Sequence, residues 1–213
     1  MEVLIAIAVL LLIVLIYKFF FSQKESNSPH DEAYRYFNKG IRKGDAGNFN
    51  GAISELTKAI NINPKFVQAI STRGMAKDTL GDYRGAIEDF NKSLDIEQNQ
   101  ENTYYLRGRS KLQLKNLNGA LEDLNVAIDI NSNFSKAYHL RGVVKSEMND
   151  ILGAIEDYSN VIKINPEDGD SYYNRGLAKY KLDDIDGACK DWRKAEIIGI
   201  LDASQLIRKY CNK

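Results

Sequence analysis

Tyr104-Tyr105-Leu106-Arg107-Gly108, followed by Ala120-Leu121-Glu122-Asp123-Leu124, returns one period later as Tyr138-His139-Leu140-Arg141-Gly142 and Ala154-Ile155-Glu156-Asp157-Tyr158. Working outward, Gly40, Gly74, Gly108, Gly142 and Gly176 stand 34 residues apart, and Ala52, Ala86, Ala120, Ala154 and Ala188 follow each glycine at a constant offset. With glycine near 7% of ordinary composition, such a register does not arise by accident. A small residue at two fixed offsets lets two antiparallel helices approach closely. Each period is therefore expected to be one helical hairpin stacked on the next.

Counting repeats from Ala33, Val67, Glu101, Ser135 and Gly169, position 4 holds Tyr36, Ile70, Tyr104, Tyr138 and Tyr172. Position 24 holds Leu56, Phe90, Leu124, Tyr158 and Trp192, and Pro64 and Pro166 close two of the periods at position 32. This pattern resembles the tetratricopeptide repeat family over Ala33 to Ile200. The resemblance implies an all-α superhelix of five repeats, at 33–66, 67–100, 101–134, 135–168 and 169–200. Residues 201–213 follow as a capping helix, with Leu206, Ile207 and Tyr210 on one face.

Ahead of the array, Val3 to Phe21 is apolar apart from Lys18. As a helix it would span about 28 Å, close to a bilayer core. No Lys or Arg precedes it and no small-residue cleavage site follows, which argues against a removed signal peptide. The expectation is a single-pass transmembrane anchor at 1–24 and a spacer at 25–32. Lys18 and Lys24 on its C-terminal side place the repeat domain in the cytoplasm by the positive-inside bias, with an extracytoplasmic domain as the alternative.

Lys and Arg number 29 against 29 Asp and Glu. A balanced charge gives no field that would draw nucleic acid. The charges are also periodic: Lys39, Arg73, Arg107, Arg141 and Arg175 at position 7, with Glu55, Asp89, Asp123, Asp157 and Asp191 at position 23. They read as ion pairs between helices, worth about 0–1 kcal/mol each if exposed. Two histidines and two cysteines assemble no zinc constellation, and no phosphate loop or nucleophile elbow is present. No metal, cofactor or enzymatic activity is expected. Asn91-Lys92-Ser93 and Asn133-Phe134-Ser135 match the glycosylation sequon, a weak signal alone.

In the family the first helix of each hairpin lines a concave groove. Carried over by position, that surface comprises Phe37, Ile41, Met75, Tyr105, Arg109 and Leu112, then His139, Val143, Tyr173, Asn174, Leu177 and Tyr180. Aromatic and aliphatic side chains with one arginine suit a partner's peptide or helix. A family subclass clamps the acidic tails of chaperones with paired Lys and Asn residues. Phe37, Ile41, Thr72, Asn102 and Leu106 stand at those positions here, so that mechanism is not expected. The expected function is a membrane-tethered interaction scaffold. An extracytoplasmic accessory factor for envelope, secretion or pilus assembly and an organelle import receptor are the alternatives.

Cys189 and Cys211 complete the reading. If the chain turns near Gly199 and Ile200, the two lie at one level on antiparallel helices, so a disulfide is allowed. Two buried thiols are the alternative, and a cytoplasmic domain favours them.

Overall fold

The computed structural model describes residues 12–18 and 28–211. Eleven helices follow residue 28: α1 Pro29–Asp45, α2 Phe49–Ile62, α3 Val67–Thr79, α4 Tyr83–Ile96, α5 Glu101–Gln113, α6 Leu117–Ile130, α7 Ser135–Glu147, α8 Ile151–Ile164, α9 Gly169–Lys181, α10 Ile185–Ile198 and α11 Leu201–Tyr210. They fall into two compact units, Met1–Leu80 and Gly81–Lys213.

In the first unit α1 pairs with α2, and α3 packs on both. Ala33, Ala52, Leu56, Ala59 and Ile70 form its core, with Phe37 and Phe49 packed at the edge. α1 begins four residues before the first repeat was expected to start. Ser28 accepts from the Asp31 backbone N–H at 3.0 Å, and Pro29 supplies the fixed φ suited to a first helical turn, so residues 29–32, placed in the spacer, are helical.

The second unit runs from α4 through three hairpins, α5–α6, α7–α8 and α9–α10, each packed on the next, to α11 against α10. One local device recurs at α2, α4, α6, α8 and α10. Asn48, Asp82, Asn116, Asp150 and Asp184 cap these helices, each accepting from the backbone N–H of a glycine three residues on, Gly51, Gly85, Gly119, Gly153 and Gly187. The glycine is required by the cap. A Cβ at Gly153 would lie 2.2 Å from Asp150 Oδ2.

The single-pass anchor and the cytoplasmic placement derived from it are corrected here. Among the described residues no helix is long and apolar enough to cross a membrane. Of the apolar stretch only residues 12–18 are described. They are helical and exposed, about 10 Å of helix against a bilayer core of about 30 Å. The remainder of the stretch lies outside the described residues.

Cys189 and Cys211 are joined by a disulfide, Cα to Cα 5.6 Å, across a sequence separation of 22. It fastens α11 to α10, where Ala203 is buried and Leu206, Ile207 and Tyr210 pack against the cluster formed with Ala188, Trp192 and Ala195. Loop closure of this size stabilises by about 2–4 kcal/mol. Cys211→Ser is expected to loosen α11 first. Hydrogen exchange at α11 and the fluorescence of Trp192, the chain's single tryptophan, report it, and unchanged protection there would count against the bridge as a fastener.

Candidate functional site

The ladder of opposite charges proves to be internal. Arg107, Arg141 and Arg175 each hold an aspartate of their own hairpin through two hydrogen bonds: Asp123 at 2.9 and 2.6 Å, Asp157 at 2.9 and 2.7 Å, Asp191 at 2.8 and 2.7 Å. Lys111, Lys145 and Lys179 add a second cation to each, at 2.8, 2.9 and 2.7 Å. The arginines also reach back to the preceding hairpin or helix, donating to Asn91, Asn125 and Ser159, and lie over the rings of Tyr104, Tyr138 and Tyr172. Burial works against the charged form of Arg141, but the hydrogen bonds and charge of Asp157 outweigh it and raise its pKa. The ion pairs expected between helices are present, and the value for exposed pairs does not apply to them, because the Asp157 side chain is fully buried.

In the first hairpin Lys39 replaces the arginine and does not reach across. Lys43, one turn on, bonds Glu55 at 2.7 Å, joined by Lys58 at 3.2 Å. The Lys43 hydrogen bond leads in holding the Glu55 carboxyl below its ordinary value of 4.5. A depressed carboxyl contributes stability that is present above that value and is lost as pH falls through the lower folded one. The urea midpoints of the natural chain and Glu55→Gln should therefore differ at pH 7 and converge in acid. A gap that persists at pH 2 would mean that the pair is not its cause.

With the charges absorbed into the scaffold, the first helices present mostly apolar side chains. In the first unit Phe37 and Ile41 are half-buried and Met75 is exposed. Phe37 lies tilted against Phe66, centroids 5.0 Å apart. Ile41 and Met75 line a cleft of about 230 Å³ between α1 and α3.

In the second unit Tyr105, Arg109, Val143, Tyr173, Asn174 and Leu177 are half-buried. Tyr105 lies tilted on Phe134 at 5.3 Å. His139 Nδ1 is 2.9 Å from Ser171 Oγ, and its ring meets the edge of Tyr158, so packing employs it. Leu112, assigned to the groove, is covered, 7% exposed in the core formed with Leu124 and Val144, whereas Tyr180 is half-buried beside Trp192 and Tyr210. Among the described residues no group of His, Cys, Asp and Glu is placed to hold a metal ion.

Sequence models agree with this architecture. Residues 146–183 match a family model described as TPR repeat, and residues 67–100 one described as Tetratricopeptide repeat. Two segments of the chain thus match tetratricopeptide-type repeat models. No curated protein matches it. Among solved structures, MamA is 27% identical, with 84% of this chain and 96% of that one covered and a TM-score of 0.72. MamA from Desulfovibrio magneticus RS-1 (23% identical, 80% and 97% covered, TM-score 0.75) and YrrB, described as a TPR protein with an unusual peptide-binding site (20% identical, 89% and 97% covered, TM-score 0.73), share the fold.

Proposed function

We propose that this protein is a non-enzymatic interaction scaffold that holds a peptide or helix of a partner protein on the first helices of its hairpins. One observation carries the reading. The charged residues at position 7 and position 11 in the second unit are consumed within the array, whereas Tyr105, Val143, Tyr173 and Leu177 remain partly open at the neighbouring positions 5 and 9. Half-exposed aromatics on a rigid frame bind at low entropic cost. The fold is one generally used for protein interaction rather than catalysis, which favours the same reading.

A photo-cross-linking amino acid placed at Tyr105 or Tyr173 of the full chain should capture a partner in the native extract, and one placed at Val126, exposed on a second helix, should not. Capture from Val126 alone would reverse the assignment. A second reading is favoured by the Cys189–Cys211 bridge: an accessory factor that uses the same surface to assemble partners in an oxidising compartment, where such bonds persist.

A further inference from the structure

Position 12 of the first helices carries Asp78, Leu112, Ser146 and Tyr180 in the later repeats, but Gly44 in the first. Leu112 and Tyr180 fill the space above their own second helices. The missing side chain at Gly44 leaves that space as the cleft between α1 and α3, with Ile41, Phe49 and Ala52 on one side and Met75 and Ala76 on the other. A Cβ added at Gly44 would meet only the Ala52 Cβ, 3.9 Å away, whereas one added at Gly40, a turn earlier, would lie 2.7 Å from Leu56 Cγ. Gly40 is closed by packing, and Gly44 is open.

We infer that this cleft receives one large apolar side chain, Leu, Met or Phe, from an extended segment of a partner protein, with a Lys or Arg of the same segment paired to Asp45. The inference rests on the scaffold reading and names the chemistry that one end of that surface selects. Its volume of about 230 Å³ is below the roughly 300–1,000 Å³ of sites that enclose a small molecule, and it suits a single side chain. Met75, 42% exposed on the rim, is unbranched and adapts to different apolar shapes.

Charge complementarity sets the neighbour. Asp45 is the one charged residue on the lining. The cations of α1 are engaged elsewhere: Lys43 bonds Glu55, Arg35 and Lys39 lie over the Tyr36 ring, and Arg42 lines a separate depression with Asn48. A cation arriving beside an apolar anchor therefore meets an acid and no like charge on the lining.

The test uses the full chain with 13C-methyl methionine. Of its three methionines, Met75 reports the cleft and Met148, exposed at the end of α7 in the second unit, is the control. The probe is acetyl-Gly-Ser-Leu-Arg-Ser-Gly-amide, compared with the same peptide carrying Ala for Leu or Glu for Arg. A saturable shift of Met75 with no shift of Met148 is expected for the first peptide. Binding should be about tenfold weaker with Ala, from the lost apolar burial, and several-fold weaker with Glu, a difference that added salt shrinks.

Gly44→Leu should fill the cleft and abolish the shift while circular dichroism stays unchanged. Asp45→Asn should keep the preference for Leu and lose the preference for Arg. An unmoved Met75, equal binding of the Leu and Ala peptides, or undiminished binding to folded Gly44→Leu overturns the inference. Partner capture at Tyr105 or Tyr173 that survives Gly44→Leu removes the cleft and leaves the scaffold function standing. Loss of capture at both positions in the natural chain removes the scaffold function itself.

Discussion

Asp157→Ala should cost about 3–5 kcal/mol, the range for removing one partner of a buried ion pair. The substituted residue is fully buried and answers two cations, Arg141 at 2.7 Å and Lys145 at 2.9 Å, which are themselves only 16% and 17% exposed. Alanine leaves both without their counter-charge and in each other's field, while Arg141 keeps its donor contact to Asn125 and is held in place. Asp157→Asn should recover part of the loss by preserving a hydrogen-bond acceptor. Glu167→Ala is the control. Its pair with Lys194 spans 3.3 Å at 70% exposure of the glutamate, and exposed pairs are worth about 0–1 kcal/mol. Denaturant midpoints decide between them. If Asp157→Ala falls within the effect of Glu167→Ala, the ladder is a surface feature and the burial argument fails.

The contrast shows what kind of information a single sequence carries. The Arg141 and Asp157 spacing is readable because both recur with the period. Their burial is not, since it is produced by neighbouring helices that the period only implies. The same limit applies to Leu112, which helical spacing puts on the groove side of its helix but which is buried in the core with Leu124 and Val144. Other features of the fold are written in the sequence as patterns. Asn48, Asp82, Asn116, Asp150 and Asp184 each stand three residues before Gly51, Gly85, Gly119, Gly153 and Gly187, a second glycine register as regular as the one at Gly40. It marks the caps at the start of every second helix. Gly44, alone at its position among Asp78, Leu112, Ser146 and Tyr180, likewise marks the open cleft. The apolar run at 3–21 is the opposite case, a strong compositional signal that no described helix is long enough to realise.

Trp192→Ala should be as costly as Asp157→Ala, about 3–5 kcal/mol by the usual penalty for truncating a large core residue, and its companions test the reason. Trp192 is fully buried, between Tyr180 at 5.9 Å and Tyr210 at 6.0 Å. Its indole Nε1 has no hydrogen-bond partner, so the molecule gains volume from this side chain and nothing from its polar atom. Trp192→Phe should therefore cost much less than Trp192→Ala, because it removes an unsatisfied buried donor along with part of the ring. The space for the indole comes from Gly176, where an added Cβ would lie 2.5 Å from Nε1. At the equivalent Gly108, which faces Leu124, the nearest atoms would be 3.3 Å away. Gly176→Ala should then be strongly destabilising and Gly108→Ala nearly tolerated, although both glycines hold the same register. Trp192→Leu alone recreates the pairing of glycine with leucine seen at Gly108 and Leu124, so adding Gly176→Ala to it should cost less than Gly176→Ala in the natural chain, and the double variant should lose less than the two single losses added together. Strict additivity would show that Gly176 is fixed by its backbone alone, and that the large residue of each repeat does not decide how tightly its glycine is held.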